Sequence, residues 1–331
     1  MQNTLKSWWL FTAILLAVTP ACAQRTGKVL RVDPALDEIV PASAQIEKLA
    51  GGFQFTEGPI WIHEGHLLFS DIPNSAVMKW TPDGKVAVFR KPSGDWRKAP
   101  LTEEIVESNG LTLDRQGRLT ICEHGNRRVS RLEQDGRLTV LADRYEGKRL
   151  NSPNDLVYKS DGAIYFTDPP YGFPKQDQDP AKELPFNGVY RLADGKLQLV
   201  HQGLSRPNGL AFSPDEKYLY VANSDPAKKI WMRFELNPDG TMANGRVFYD
   251  VTSSRDDGLP DGMKVDQKGN VYGTGPGGVW IFSPEGKHLG TIQPAEVPAN
   301  CAWGDEDGKT LYMTARTGLY RIRLKIAGVR P

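Results

Sequence analysis

Cysteine is scarce in this 331-residue chain: there are three, and only Cys122 and Cys301 lie beyond the first two dozen residues. That count excludes a scaffold built on disulfides. An excess of charge of one sign is missing too. The 41 basic and 40 acidic side chains nearly cancel, so no overall field exists to hold nucleic acid and no acidic tail appears. Apolar runs long enough for a polytopic membrane protein are absent. No amphipathic stretch of helical length stands out either. What the chain has instead is glycine and proline, 33 and 24 of them, more than average composition supplies. They imply many turns, and therefore short strands.

The N-terminal segment reads as a sorting signal. Lys6, the apolar run from Trp8 to Val18, Pro20 and the small residues Ala21-Cys22-Ala23 follow the charged, apolar and cleavable order of a secretory leader. Residues 1–23 are expected to be removed and the protein exported, to the periplasm or the medium. Cys22 leaves a second reading, a lipid-anchored N-terminal cysteine, although Thr19 stands where bacterial lipoprotein signals usually carry leucine. No transmembrane span is expected in the mature chain. Cys122 and Cys301 sit in apolar runs far apart in the order of the chain, and a disulfide needs Cα atoms within about 7 Å. They are expected to be free and buried.

The rest of the chain realigns on itself six times. The repeats start at Thr56-Glu57-Gly58-Pro59, Ser108-Asn109-Gly110-Leu111, Pro153-Asn154-Asp155-Leu156, Pro207-Asn208-Gly209-Leu210, Pro260-Asp261-Gly262-Met263 and Ala299-Asn300-Cys301-Ala302, spaced by 39 to 54 residues. Each start leads through alternating apolar runs and Gly-containing turns into about four strands. Six such units predict an all-β, six-bladed β-propeller over residues 44–326. The last unit stops after three strands near Lys325. Residues 44–49 are expected to supply its fourth, so that an N-terminal strand joins the last blade and closes the ring. Residues 24–43 read as an irregular leader and 91–107 as an insertion.

Several local patterns imitate sites. Gly273-Thr-Gly275-Pro-Gly-Gly278 matches a dinucleotide fingerprint by letter, but a strand follows it, so no helix N-terminus is available for a phosphate. His63-Glu64-Gly65-His66 lacks the i, i+4 histidine spacing of a zinc protease. Arg127, Arg128 and Arg131 form a basic cluster without interleaved aromatics and read as a solvated strand surface. No Gly-x-Ser-x-Gly elbow is present.

Equivalent positions of a propeller's blades lie round one axis. The starts of the inner strands therefore place Glu57, Asn109, Asn154, Asn208, Asp261 and Asn300 at one mouth of the central channel. Unpaired amides and carboxylates crowded there would cost several kcal/mol, whereas a hard divalent cation satisfies them. Calcium takes six to eight oxygens from carboxylates, amide carbonyls and water. Glu57 and Asp261 balance its charge, and Asn154 and Asn208 add neutral donors. The lack of Cys and His in the set disfavours zinc or copper. Taken singly, Asn-Gly and Asp-Gly pairs are also turn formers; it is their common register that points to a metal.

These residues resemble the SMP-30/gluconolactonase/luciferin-regenerating-enzyme family of calcium-dependent six-bladed propellers, from about Gln45 to Lys325. The motifs that carry the resemblance are Phe55-Thr-Glu57-Gly-Pro-Ile-Trp61, Ser108-Asn109-Gly110-Leu111, Pro153-Asn154-Asp155, Arg206-Pro-Asn208-Gly-Leu-Ala-Phe-Ser-Pro-Asp215 and Pro260-Asp261-Gly262-Met263. Cys122-Glu-His124-Gly-Asn-Arg-Arg128 and Tyr165-Phe-Thr-Asp168-Pro-Pro-Tyr171-Gly172 are similar to bacterial gluconolactonase-like members. The resemblance implies calcium, or another divalent cation, on Glu57, Asn154, Asn208 and Asp261, hydrolysis of sugar lactones, and Asp261 as general base. Some members carry an arginine two residues before the third-blade asparagine, where it helps hold the sugar acid. Here that position is Ser152, with Arg149 earlier in the loop.

A metal-bound carboxylate is a weak base, so His124 and Glu123, on a loop expected to face the same mouth, are alternative bases. Asn109, Asn154, Arg149 and Asp168 are candidate substrate contacts. The leading expectation is a small-molecule lactone as substrate. An ester or phosphotriester hydrolase on the same metal, or a non-enzymatic binding propeller, are the competing readings.

Overall fold

The computed structural model describes residues 24–94 and 108–331; the expected signal, with Cys22, and most of the expected insertion lie outside them. Among the described residues, six antiparallel sheets of four or five strands follow one another along the chain. The inner strands are Thr56–Ile62, Ser108–Leu113, Leu156–Tyr158, Pro207–Phe212, Met263–Val265 and Asn300–Gly304. Each packs against the next and the sixth against the first, which closes a six-bladed propeller.

The period-2 alternation of the strands explains where the core sits. In the blade-4 strand Tyr218–Asp225, Leu219 and Val221 face blade 3, while Tyr220 and Ala222 face blade 5. Every blade thus has two apolar faces, and the described residues form six apolar clusters, one between each pair of neighbouring blades. Cys122 and Cys301 belong to two different clusters and are free and buried. The Gly273–Gly278 stretch is a hairpin, with Gly275 paired to Gly278.

Closure of the ring is as expected, with its bounds shifted. Ile46–Gly51 pairs antiparallel with Gly318–Arg323, setting Ile46 opposite Ile322. The leader differs from expectation because it is ordered. Lys28–Arg31 adds a fifth strand to blade 5 beside His288–Gln293, and Gln24–Arg25 pairs with the closing strand. After Arg31, a 3-10 turn capped by Asp33 buries Leu36, Ile39 and Val40 in the cluster between blades 5 and 6. The local sequence is too short and too mixed to announce these strands; the open sheet edges of two blades decide them.

Candidate functional site

The inner strands approach one another more closely than any Cβ would allow. A Cβ on Gly209 would lie 2.2 Å from the Asp261 carbonyl oxygen, and one on Gly262 would lie 2.0 Å from Asn300 Cγ. Neither glycine has a positive φ, so these Asn-Gly and Asp-Gly pairs serve close approach rather than a turn. The ladders of blades 1, 2 and 4 are bulged at the same level. In those three blades the bulge falls at Glu57, Asn109 and Asn208.

Glu57 is buried and its Oε2 accepts from the Gly58 amide at 2.7 Å and from Asn300 Nδ2 at 3.0 Å. The Asn300 amide is oriented by its own neighbour, since its Oδ1 accepts from the Cys301 amide at 2.8 Å. Asn300 is therefore a donor to Glu57, not an oxygen offered to a cation. Asn208 gives its Nδ2 to Ser224 Oγ at 2.9 Å, and its buried Oδ1 has no partner among the described residues. Asp261 is half-buried beside Asn208 and Glu57. Asn154 is buried, its backbone amide bonded to the Thr167 carbonyl and its carbonyl to the Gly110 amide.

Position 155 is a site residue that sequence reasoning missed. Asp155 stands where blades 1, 2, 4 and 5 carry the close-approach glycine, and that substitution in the register was the available signal. It is buried below the ring, 3.4 Å from Asn300 Nδ2. Three carboxyls thus share one low-dielectric channel. Burial, and then the Asp155 charge, pushes Glu57 up to about 7. Burial and the charges of Glu57 and Asp155 hold Asp261 well above the usual carboxylate range. Each would ionise more readily beside a cation. Among the described residues no three Asp, Glu, His or Cys side chains form a metal-holding group on their own. A cation between Glu57 and Asp261 would need amide oxygens as well, and the Asn208 Oδ1, without a partner among the described residues, is available as one. An all-oxygen set with two carboxylates suits calcium.

A cleft of about 540 Å³ opens beside Asp261, lined by Phe55, Leu259, Val297, Arg255 and Arg316 among others. From blade 3, the loop after Asp168 sets Tyr171, also without an assigned role in the sequence reading, near Asp261 but outside the lining of that cleft. Its hydroxyl is buried with no hydrogen-bond partner among the described residues. Burial, and then the nearby charge of Asp261, push that phenol above its ordinary value. His124 is buried, with Nε2 3.3 Å from Asn109 Nδ2, and burial pushes the imidazole down to about 4.

The remaining expectations place differently. Glu123 is fully buried with a bidentate Arg128 on its carboxylate and the Ser130 hydroxyl on one oxygen. It is tied up inside blade 2 and is not a free base. Arg127 and Arg128 are likewise buried, not a solvated surface: Arg127 donates to the Leu150 carbonyl at 2.7 Å and lies over the Phe173 ring. Asp168 is fully enclosed, with Oδ2 accepting from the Asn151 amide at 2.7 Å, and burial pushes it up to about 7. Asp71 and Asn223, at the same blade position, accept from the amides of Phe55 and Arg206. This position caps the loop entering its own blade. Arg149 lies on a short hairpin, Arg144–Tyr145 with Lys148–Arg149, and donates to the Asn126 carbonyl at 3.0 Å.

The sequence matches the SMP-30/gluconolactonase/LRE-like family over residues 55–317. The chain belongs to that family. Within and around it, a gluconolactonase of Zymomonas mobilis is 42% identical over 91% of this chain and 87% of its own. Regucalcin of Xenopus laevis is 27% identical over 80% of this chain and 83% of its own. Among solved structures, a gluconolactonase of Xanthomonas campestris superimposes with a TM-score of 0.81 at 35% identity, covering 93% of this chain and 99% of that one.

Proposed function

We propose that this chain is an exported, calcium-dependent hydrolase of sugar lactones. Glu57, Asn154, Asn208 and Asp261 would hold the ion. The observation that carries the reading is the Asn208 Oδ1, buried and without a partner among the described residues, beside two carboxyls that burial and the charge of Asp155 make costly to ionise. The names of the Zymomonas and Xanthomonas relatives support the lactone substrate. Calcium in this set would supply Lewis acidity toward the lactone carbonyl and offset the carboxylate charge.

The protein's own part follows from placement. The cleft beside Asp261 receives the sugar ring. Asp261 takes a proton from water as the water oxygen bonds to the carbonyl carbon, and the carbonyl electron pair moves onto its oxygen. When that pair returns, the ring C–O ester bond breaks. The proton passes to the departing ring oxygen, releasing the hydroxy acid. His124, buried and neutral, holds Asn109 at the mouth. The capped loops of blades 1, 3 and 4 keep the mouth fixed, so little reorganisation is needed on binding.

Purified protein should hydrolyse five- or six-carbon aldonolactones, lose that activity to a chelator and regain it with calcium. Glu57→Gln should weaken calcium binding at least about tenfold by calorimetry, since it removes one of two balancing charges. Lactone turnover indifferent to chelator, or unchanged calcium affinity in Glu57→Gln, would count against the site. Turnover of aryl esters or phosphotriesters but no lactone would move the substrate assignment.

A further inference from the structure

We propose that Tyr171 donates a hydrogen bond to the substrate's reacting oxygen and that Ser152 is the residue that positions it. The inference rests on the lactonase reading above and extends it to a residue pair without an assigned role there.

The loop carrying Tyr171 is held on both sides. Ser152 Oγ donates to the Pro169 carbonyl at 2.6 Å and accepts from the Gly172 amide at 2.9 Å. A Cβ on Gly172 would lie 2.7 Å from Ser152 Cβ, so the loop is pressed directly onto this serine. Further along, the Phe173 amide bonds the Pro170 carbonyl and tightens the turn. Asp168, at the loop's start, is anchored to the Asn151 amide. Tyr171 is thus presented by a framework with few remaining torsions.

Among the described residues its hydroxyl has no partner at hydrogen-bond geometry. Buried phenol groups nearly always find a partner, and Asn208 and Ser224 are close enough to act on this one. Yet Asn208 Nδ2 and Ser224 Oγ are bonded to each other, and Ser224 donates onward to the Pro260 carbonyl. Among the described residues the Asn208 Oδ1 and the nearby Tyr171 Oη each lack a partner at hydrogen-bond geometry. A cation at the ring satisfies the first. The second, protonated at neutral pH, offers a donor, and a lactone carbonyl at the mouth offers the matching acceptor. Its pull strengthens as that oxygen gains charge, while Tyr171 keeps its proton.

Ser152 stands where the family resemblance would put a substrate-holding arginine. A serine is too short for that contact, and its hydroxyl is already engaged on both sides by the Tyr171 loop. The substrate contact passes to Tyr171 instead.

The test compares wild type, Tyr171→Phe, Ser152→Ala and the double variant in aldonolactone hydrolysis. Calcium binding and binding of the aldonate product at saturating calcium are followed by calorimetry. Tyr171→Phe should lose about 10²-fold in kcat/KM, mostly in kcat, as removal of one oxyanion donor does. Product affinity should fall while calcium affinity stays within about threefold. The variant should melt no lower than wild type, because the hydroxyl removed had no partner. Ser152→Ala should lose less, and should add little once Tyr171 is Phe, since the two act as one unit. Tyr171→Phe with wild-type kcat/KM and product affinity would overturn the inference and leave the lactonase reading intact. Loss of calcium affinity in that variant would also overturn it, making Tyr171 part of the cation cradle. A wild-type chain that turns over no lactone would overturn both.

Discussion

Asp261 is asked to do two jobs that pull its basicity in opposite directions. Burial and the charges of Glu57 and Asp155 make it more basic, while a bound cation makes it less so. Asp261→Asn keeps an oxygen donor and removes the basic one. At full calcium occupancy its kcat should fall by about 10²-fold or more, the scale of general-base loss. His124→Gln should cost less, because burial has pushed that imidazole down to about 4 and its Nε2 faces Asn109. The measurement is kcat across pH with calcium saturating. A loaded Asp261→Asn enzyme at wild-type rate would remove Asp261 as base. Loss of a pH–rate limb near histidine's ordinary pKa in His124→Gln would move the role there. Of the expected bases, only Glu123 is disqualified by geometry, through a buried ion pair with Arg128 that its neighbours in the chain do not announce.

The inner strands show how an element can be legible in sequence for the wrong reason. The polar-Gly pairs recur at the inner strands, but as turn formers they would be explained by backbone conformation. In the fold the glycine makes room for the next strand's backbone or, at Gly262, for the Asn300 side chain, and at position 155 the same slot is given to a carboxylate. Gly262→Ala should therefore act twice. Its methyl meets Asn300, which holds Glu57. Stability should fall by about 1–3 kcal/mol in chemical denaturation, the usual range for overpacking, and calcium affinity should fall with it. Wild-type stability and affinity together would refute the close-approach account.

Across the whole molecule, the ring depends on its seam. Glu296, between blades 5 and 6, accepts from Lys48 of the closing strand at 2.8 Å, from the Tyr320 hydroxyl at 2.6 Å and from the Thr317 amide at 2.8 Å. Burial alone would raise this carboxyl, but those bonds outweigh it and hold it down to about 2. A folded-state value below the unfolded one means that the stabilisation is complete above the ordinary carboxylate range and drains away as pH falls toward 2. Glu296→Gln should lower the melting temperature by a few degrees at pH 7, about 1–3 kcal/mol. The gap between variant and wild type should close as the pH drops from about 4.5 toward 2. Thermal scans across that range check it; a constant gap would show that the carboxylate charge is not what the seam uses.

Six repeats with oxygen-bearing residues in register, a missing fourth strand at one end and a free apolar segment near the other were enough for the propeller, its closure and the ring of Glu57, Asn109, Asn154, Asn208, Asp261 and Asn300. Each of these is a local pattern repeated, and repetition makes position in the fold follow from position in the chain. What only the tertiary structure decided are contacts that no repeated pattern encodes, some between distant segments and some within one blade. They include the leader's pairing with two sheet edges, the enclosure of Glu123 and Asp168, and the donor role of Asn300. They also include the Tyr171 hydroxyl, brought to the mouth by a loop that Ser152 fastens. Nothing in the spacing of residues along the chain distinguishes an amide that offers its oxygen from one that offers its nitrogen. That depends on which partner packing brings within about 3 Å.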